Sequence, residues 1–326
     1  MSRVLVTGGA GYVGSHACKA LAGAGHLPIV FDNLRHGHEW AVRWGPLVKG
    51  DIADRACLDA AILEWKPDAV MHFAAFAYVG ESVSDPGRYY RNNVAGTLSL
   101  LEAMRDHGVD RIVFSSTCAT YGIPHIVPIP ESHPQQPINP YGAGKLMVER
   151  MLTDFAAAHG LRARALRYFN AAGADPQGEI GERHEPETHL IPLALAATDA
   201  SSPLTIHGND YDTPDGTCIR DYIHVCDLAD AHARVLESME TMPSGFDAYN
   251  LGTGRGHSVL EVIAAAELAA GKPVATRIGP RRQGDPAVLV GDASRIRREL
   301  GWEPRHSDLG TMIGSAWHWS QHGEQR

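Results

Sequence analysis

Val4-Leu5-Val6-Thr7-Gly8-Gly9-Ala10-Gly11-Tyr12-Val13-Gly14 opens this 326-residue chain as a short apolar run that breaks into a glycine-spaced loop. The run predicts a buried parallel strand. After it, Val13, Ala17, Ala20, Leu21 and Ala24 follow helical spacing, and Pro28-Ile29-Val30-Phe31-Asp32 reads as a second strand ending in an acid. Strand, glycine loop, helix, strand and acid in that order form the context of a dinucleotide-binding fingerprint. Gly8, Gly11 and Gly14 let the backbone turn tightly and approach a pyrophosphate around Tyr12 and Val13, and the helix N-terminus stabilises the charge. Asp32, eighteen positions after Gly14 and followed by Asn33, can accept from both ribose hydroxyls and would repel a 2′-phosphate. The cofactor expected is therefore NAD, with Arg35 and His36 the only features pointing to NADP. A plain glycine turn between packed elements is the bland alternative, and the flanking strands and acid weigh against it.

The unit repeats along the chain. Leu47 to Ile52 is a strand tip, Ala53 to Trp65 an amphipathic helix, and Ala69 to Ala75 another strand. In a doubly wound sheet such strand ends face the cofactor. That places Asp51 and Ile52 near an adenine, and Phe73, Ala74 and Ala75 near the ribose and nicotinamide. A helical stretch from Tyr89 to His107 carries Asn92 and Asn93, and the strand Arg111 to Thr117 finishes in Ser115, Ser116 and Thr117. A helix from Tyr141 to His159 and a strand from Leu161 to Arg167 complete a Rossmann-type α/β fold, a doubly wound parallel sheet. Residues 1–169 are read as the NAD-binding domain, with later strands returning at about 220–255, Tyr249 to Gly252 among them. Residues 170–326 are read mainly as a smaller α/β substrate-binding domain across a discontinuous boundary. Its candidate pieces are Leu190 to Ala197, Leu204 to His207 and Leu260 to Ala270.

Tyr141 and Lys145 fall four residues apart, one above the other on a helical face that begins at Pro140. A phenol beside an ammonium is an acid–base device. To act as a base near neutrality the phenol pKa must fall from about 10 to about 7, which requires about 4 kcal/mol. Lysine supplies part of that, and a second cation would supply more. The net charge of −9 opposes a general nucleic-acid or anionic-membrane surface. Five cysteines without metal or CxxC spacing, no apolar leader and no run of transmembrane length predict a soluble cytoplasmic protein. His184-Glu185-Pro186-Glu187-Thr188-His189 resembles a zinc-protease signature, but its histidines are five apart and Pro186 opposes the helix, so no metal is expected.

Glycine loop, hydroxyl-bearing strand tip and Tyr-x-x-x-Lys together resemble the extended short-chain dehydrogenase/reductase superfamily. Within it, Thr7 to His16, Asp32-Asn33-Leu34, Val79 to Val83, Leu166 to Asn170 and Gly216 to Val225 resemble the UDP-glucose 4-epimerase family over nearly the whole chain. The resemblance implies NAD-dependent, reversible epimerisation at C4 of a UDP-sugar, UDP-glucose to UDP-galactose, through a 4-keto intermediate. It implies Tyr141 as base, Lys145 on the nicotinamide ribose and Thr117 on the sugar's 4-hydroxyl. Ser115, Ser116 and Tyr168 would line the nicotinamide side, and Asn92 the pyrophosphate side. Asn170, His189, Leu190, Arg220, Tyr222, Arg282 and Asp285 would hold the UDP moiety, and Leu289 would control room near the sugar's 2-substituent. A homodimer through the long helices after Asp85 and Tyr141 is also implied.

Departures and alternatives bear on substrate and reaction. Ala77 stands where many members carry a cofactor-contacting Lys, and His189 replaces a commoner Asn. Segments 73–79 and 187–192 are similar to exopolysaccharide-linked members and to UDP-arabinose 4-epimerases, which makes UDP-xylose/UDP-arabinose the second substrate pair. Related dehydratases follow the strand-tip hydroxyl with Asp-Glu, whereas Thr117 is followed by Cys118-Ala119, which cannot do that proton work. A non-catalytic NAD-sensing protein, the remaining alternative, would be expected to lose Tyr141 or Lys145.

Overall fold

The computed structural model describes residues 1–199, 203–282 and 284–323. Its strands are β1 (Arg3–Thr7), β2 (Leu27–Asp32), β3 (Leu47–Lys49), β4 (Ala69–His72), β5 (Arg111–Thr117), β6 (Arg162–Tyr168), β7 (Asn170–Ala172), β8 (Leu204–His207), β9 (Ile219–His224), β10 (Gly245–Leu251), β11 (Gly256–Ser258), β12 (Thr276–Gly279) and β13 (Val288–Leu289). Seven of them form one parallel sheet in the order β10-β6-β5-β4-β1-β2-β3. The order reverses between β1 and β4, the switch point where such sheets open a crevice.

The helices are α1 (Tyr12–Gly23), α2 (Arg55–Trp65), α3 (Val79–Ser84), α4 (Pro86–Tyr89), α5 (Gly96–Asp106), α6 (Pro140–His159), α7 (Leu190–Ala196), α8 (Val225–Ser238), α9 (Val259–Ala270), α10 (Ser294–Leu300) and α11 (Leu309–His322). They cover both faces of the sheet, which explains the unbroken apolar strands. Val4 and Val6 point to one side and pack with Ala17 and Leu21 of α1 and Leu228 and Val235 of α8. Leu5 between them points to the other, toward Leu58 of α2, Leu100 of α5 and Leu152 of α6.

Two smaller sheets lie beyond residue 169. Strand β9 pairs in parallel with β7 and β13 and antiparallel with β11, while β8 and β12 form a parallel pair. Helices α7, α9 and α11 pack on a separate core that includes Ile191, Ile206, Val262 and Met312. Of the returning segments, β10 joins the main sheet beside β6, whereas β9 belongs to the smaller one.

Two elements differ from the sequence expectation. Strand β4 ends at His72 rather than Ala75, because the amides of Phe73 and Ala74 both donate to the Thr7 carbonyl (2.8 and 3.0 Å) and bend the chain over the glycine loop. The stretch from Tyr89 to His107 is interrupted by a π-helical turn over Tyr90–Ala95 before α5 begins. Such turns rotate the residues they carry relative to a regular helix.

Candidate active site

The carboxyl ends of the main strands and the neighbouring small sheet enclose one cavity of about 1460 Å³. At its β1 end the glycine loop leaves no room for side chains: a Cβ on Gly14 would stand 2.2 Å from the Gly8 carbonyl oxygen. This cradle brings bare backbone and the start of α1 to the cavity wall, which fits a pyrophosphate. Asp32 accepts from the amides of Ala10 (3.0 Å) and Leu34 (2.8 Å). Burial pushes its carboxyl up and these amides oppose that, so the acid is oriented with lone pairs to spare for hydroxyl donors. Gly8, Gly11, Tyr12, Val13, Asn33, Ile52, Phe73, Ala74 and Ala75 share the same wall.

Asp51 does not line the cavity. It accepts from the side chain of Asn33 (2.8 Å) and the amide of Ala53 (2.9 Å), and so orients Asn33, which does line it. Ser116 departs from its expected place on the nicotinamide side. Alternation along β5 turns Ser115 and Thr117 into the cavity and Ser116 to the opposite face, where its hydroxyl donates to Glu149 (2.6 Å).

Within the π turn, Asn92 faces the cavity, while Asn93 is buried and clamps Phe76 by both its amide and its carbonyl (2.9 Å each). His72, which burial pushes down to about 3, bridges Thr7 (2.6 Å) to Thr97 (2.8 Å) as a neutral ring. Neither role was read from the sequence, where His72 sat inside an apolar strand and Asn93 beside an equally suitable Asn92. Around Ala77, which lacks a cation, Arg35 and Arg88 flank the Phe76 ring at 5.2 and 4.2 Å, and both reach the cavity wall.

Helix α6 is started by Asn139, whose side chain accepts from the Gly142 amide (2.8 Å), with Pro140 in its first turn. It presents Tyr141 and Lys145 opposite Ser115 and Thr117. Lys145 Nζ donates to the Ser115 carbonyl (2.7 Å) and stands 5.9 Å from the centre of the Tyr141 ring. Burial pushes the ammonium down to about 7, against the nearby Glu149 charge. Burial and the neighbouring Tyr168 push the Tyr141 phenol well above its usual range, and a hydrogen bond with Thr117 only partly opposes them. The protein groups alone therefore favour the neutral phenol, in line with a pair that needs a second cation to act as a base. Ser115 and Tyr168 share a short hydroxyl–hydroxyl hydrogen bond beside them.

The far end of the cavity is built by the small sheet. Asn170, Tyr222 and Arg220, and Leu289 beside Arg220, come from β7, β9 and β13, and Arg282 and Asp285 from the loop before β13. Arg220 donates to Asp285 directly, so the cation and the acid assigned to diphosphate and ribose are already oriented by each other. His189 and Leu190 enter at the start of α7. There Glu182, His184, Glu187 and His189 gather within 4.8 Å of one another. Burial pushes His184 down, but its contacts with Glu182 and Glu187 outweigh that and bring it up to about 9. His189 is raised in the same way, and Glu182, despite its own burial, is held down to about 2. The carboxylates thus favour the charged form of both rings beside the cavity.

The profile of the NAD dependent epimerase/dehydratase family matches residues 4–252. The chain belongs to that family. Among relatives, a UDP-glucose 4-epimerase of Rhizobium meliloti (strain 1021) is 53% identical, with 99% of this chain and 98% of that protein covered. The structure of a Brucella ovis UDP-glucose 4-epimerase in complex with NAD is 53% identical and superposes with a TM-score of 0.95 over 98% of each chain. A Stenotrophomonas maltophila UDP-glucose 4-epimerase, solved with bound NAD and formylated UDP-arabinopyranose, is 42% identical with a TM-score of 0.95, over 100% of this chain and 99% of that one. The likeness to the Brucella ovis structure extends over the whole fold, the seven-stranded parallel sheet included.

Proposed function

We propose that the chain catalyses NAD-dependent, reversible epimerisation at C4 of a UDP-sugar, interconverting UDP-glucose and UDP-galactose through a 4-keto intermediate. The observation that carries this reading is the position of Tyr141, Lys145 and Thr117 at the junction between the glycine cradle and the Arg220–Asp285 end of a single cavity. A sugar reaching from the one end to the other would present its reacting carbon there.

Gly8, Gly11 and Gly14 would hold the pyrophosphate, Asp32 a ribose, and Ser115, Lys145 and Tyr168 the nicotinamide side. Bound NAD+ supplies a hydride acceptor and a second positive charge, the latter missing from the site as built by protein alone. Tyr141 takes the proton from the 4-hydroxyl, which Thr117 orients, and returns it to the same oxygen after the sugar has turned over. Asn170, Arg220, Tyr222, Arg282, Asp285, His189 and Leu190 keep the UDP moiety in place during that turn. Cys118 and Ala119 offer no acid–base pair for removing water, and burial raises the Cys118 thiol to about 12, so dehydration is disfavoured.

Residues 1–169 with β10 would form the cofactor part, and most of 170–326 the UDP-sugar part. No helix among the described residues is long and apolar enough to cross a membrane. A cytoplasmic location is supported by five free cysteines. A homodimer is supported by apolar Val83, Leu98 and Met147, exposed on α3, α5 and α6.

Purified protein incubated separately with UDP-glucose, UDP-galactose and UDP-xylose tests the reading. The two hexose nucleotides should equilibrate without net formation of NADH, and Tyr141→Phe should lose about 10²- to 10⁴-fold in turnover. Failure to interconvert the hexoses, or a faster reaction of UDP-xylose, overturns it.

A further inference from the structure

Glu149 follows Lys145 by one helical turn and Tyr141 by two, so the three stack along one side of α6. Its carboxylate is almost wholly buried, with side-chain exposure of 2%. Four donors converge on it. Ser116 (2.6 Å) and Arg167 Nε (2.9 Å) reach one oxygen; Arg167 Nη2 (2.6 Å) and Gln135 (3.0 Å) reach the other. Ser116 and Arg167 are register partners across β5 and β6, so a single carboxylate joins α6 to two adjacent strands. Arg167 extends the contact to the Tyr121 hydroxyl (3.0 Å), which donates to Asn250 on β10 (2.7 Å).

We propose that Glu149 is a positioning residue that holds the β5 tip, with Ser115 and Thr117, in register with Tyr141 and Lys145. The strand tip is gripped at consecutive residues from the same helix: Lys145 holds the Ser115 carbonyl, and Glu149 holds the Ser116 hydroxyl. A slip of one residue would turn Ser116 into the cavity and both Ser115 and Thr117 away from it. Stability alone does not account for the arrangement. A buried ion pair costs desolvation energy that well-packed apolar residues avoid, and its attested use is in selecting one geometry over others.

The inference rests on the epimerase reading for its kinetic part only. Ser116→Ala removes the link to the strand while leaving the Glu149–Arg167 pair intact. Gln135→Ala removes another bond to the same carboxylate, one that comes from the loop before α6 instead of from β5. Hydrogen exchange over residues 115–119 and steady-state kinetics are measured on both variants and the parent. Ser116→Ala should speed exchange at the strand tip about tenfold and lower kcat about tenfold with KM within about twofold. Gln135→Ala should leave both at the parent's values, even where its melting temperature falls as far. Unchanged exchange in Ser116→Ala overturns the proposal whatever the enzyme's reaction. Faster exchange with inactive parent protein would retain the positioning role and sink the epimerase reading instead. Equal effects of the two variants would reduce Glu149 to a general contributor to stability and overturn the proposal.

Discussion

Lys145 lies against the Phe114 ring at 4.8 Å with the Ser115 carbonyl as hydrogen-bond acceptor, and burial governs how it titrates. In the unfolded chain the ammonium keeps its proton to about 10.5, whereas in the folded, cofactor-free chain it releases it at about 7. Between these values the unfolded state binds more protons, so stability must rise with pH through this group. The melting temperature of cofactor-free protein should therefore increase relative to Lys145→Met as pH is raised from 7 to 10, and a constant difference would refute the assignment. Sequence spacing was enough to pair Tyr141 with Lys145, because helical periodicity is local. It could not give their charges. Desolvation depends on Phe114, Tyr168 and the covering strand tip, which come from other parts of the chain.

Helix α6 carries two glycines that spacing alone does not distinguish. At Gly142 a Cβ would stand 2.4 Å from the Ala119 carbonyl oxygen, so the helix must pass bare backbone over the turn that follows Thr117. At Gly144 it would meet only Val94 Cγ2, at 3.6 Å, an ordinary contact. Gly144→Ala should thus stabilise the protein by up to about 1 kcal/mol in denaturant unfolding, by removing the entropic cost of glycine in a helix. Gly142→Ala should destabilise it by more than that and impair turnover. Equal effects of the two would contradict the packing. The same contrast runs through β5. Three consecutive hydroxyls announced a functional strand tip, yet period-two alternation sends Ser116 away from its neighbours, and the carboxylate that receives it lies thirty-three residues further on. Asp51, an acid at the right distance from β3, holds Asn33 and the Ala53 amide, contacts that its place after the strand does not announce.

The molecule leaves Val83 at 64%, Met147 at 46% and Leu98 at 39% exposure on the helices outside the main sheet. Apolar side chains on one helical layer favour burial against another copy. Light scattering should give twice the chain mass at micromolar concentration, and Leu98→Glu with Met147→Glu should reduce it to one chain; a monomeric parent would dismiss the dimer. The alternation of strands and helices, the glycine loop and the strand ends that face the cavity follow from local patterns of apolar residues, glycines and strand-end acids. A reader of the chain can recover these because each pattern spans no more than one strand–helix unit. The Arg220–Asp285 contact, the Glu182–His189 cluster and the Glu149 junction follow from no such pattern. Each joins groups whose energies depend on burial, and burial exists only after distant segments have closed over one another.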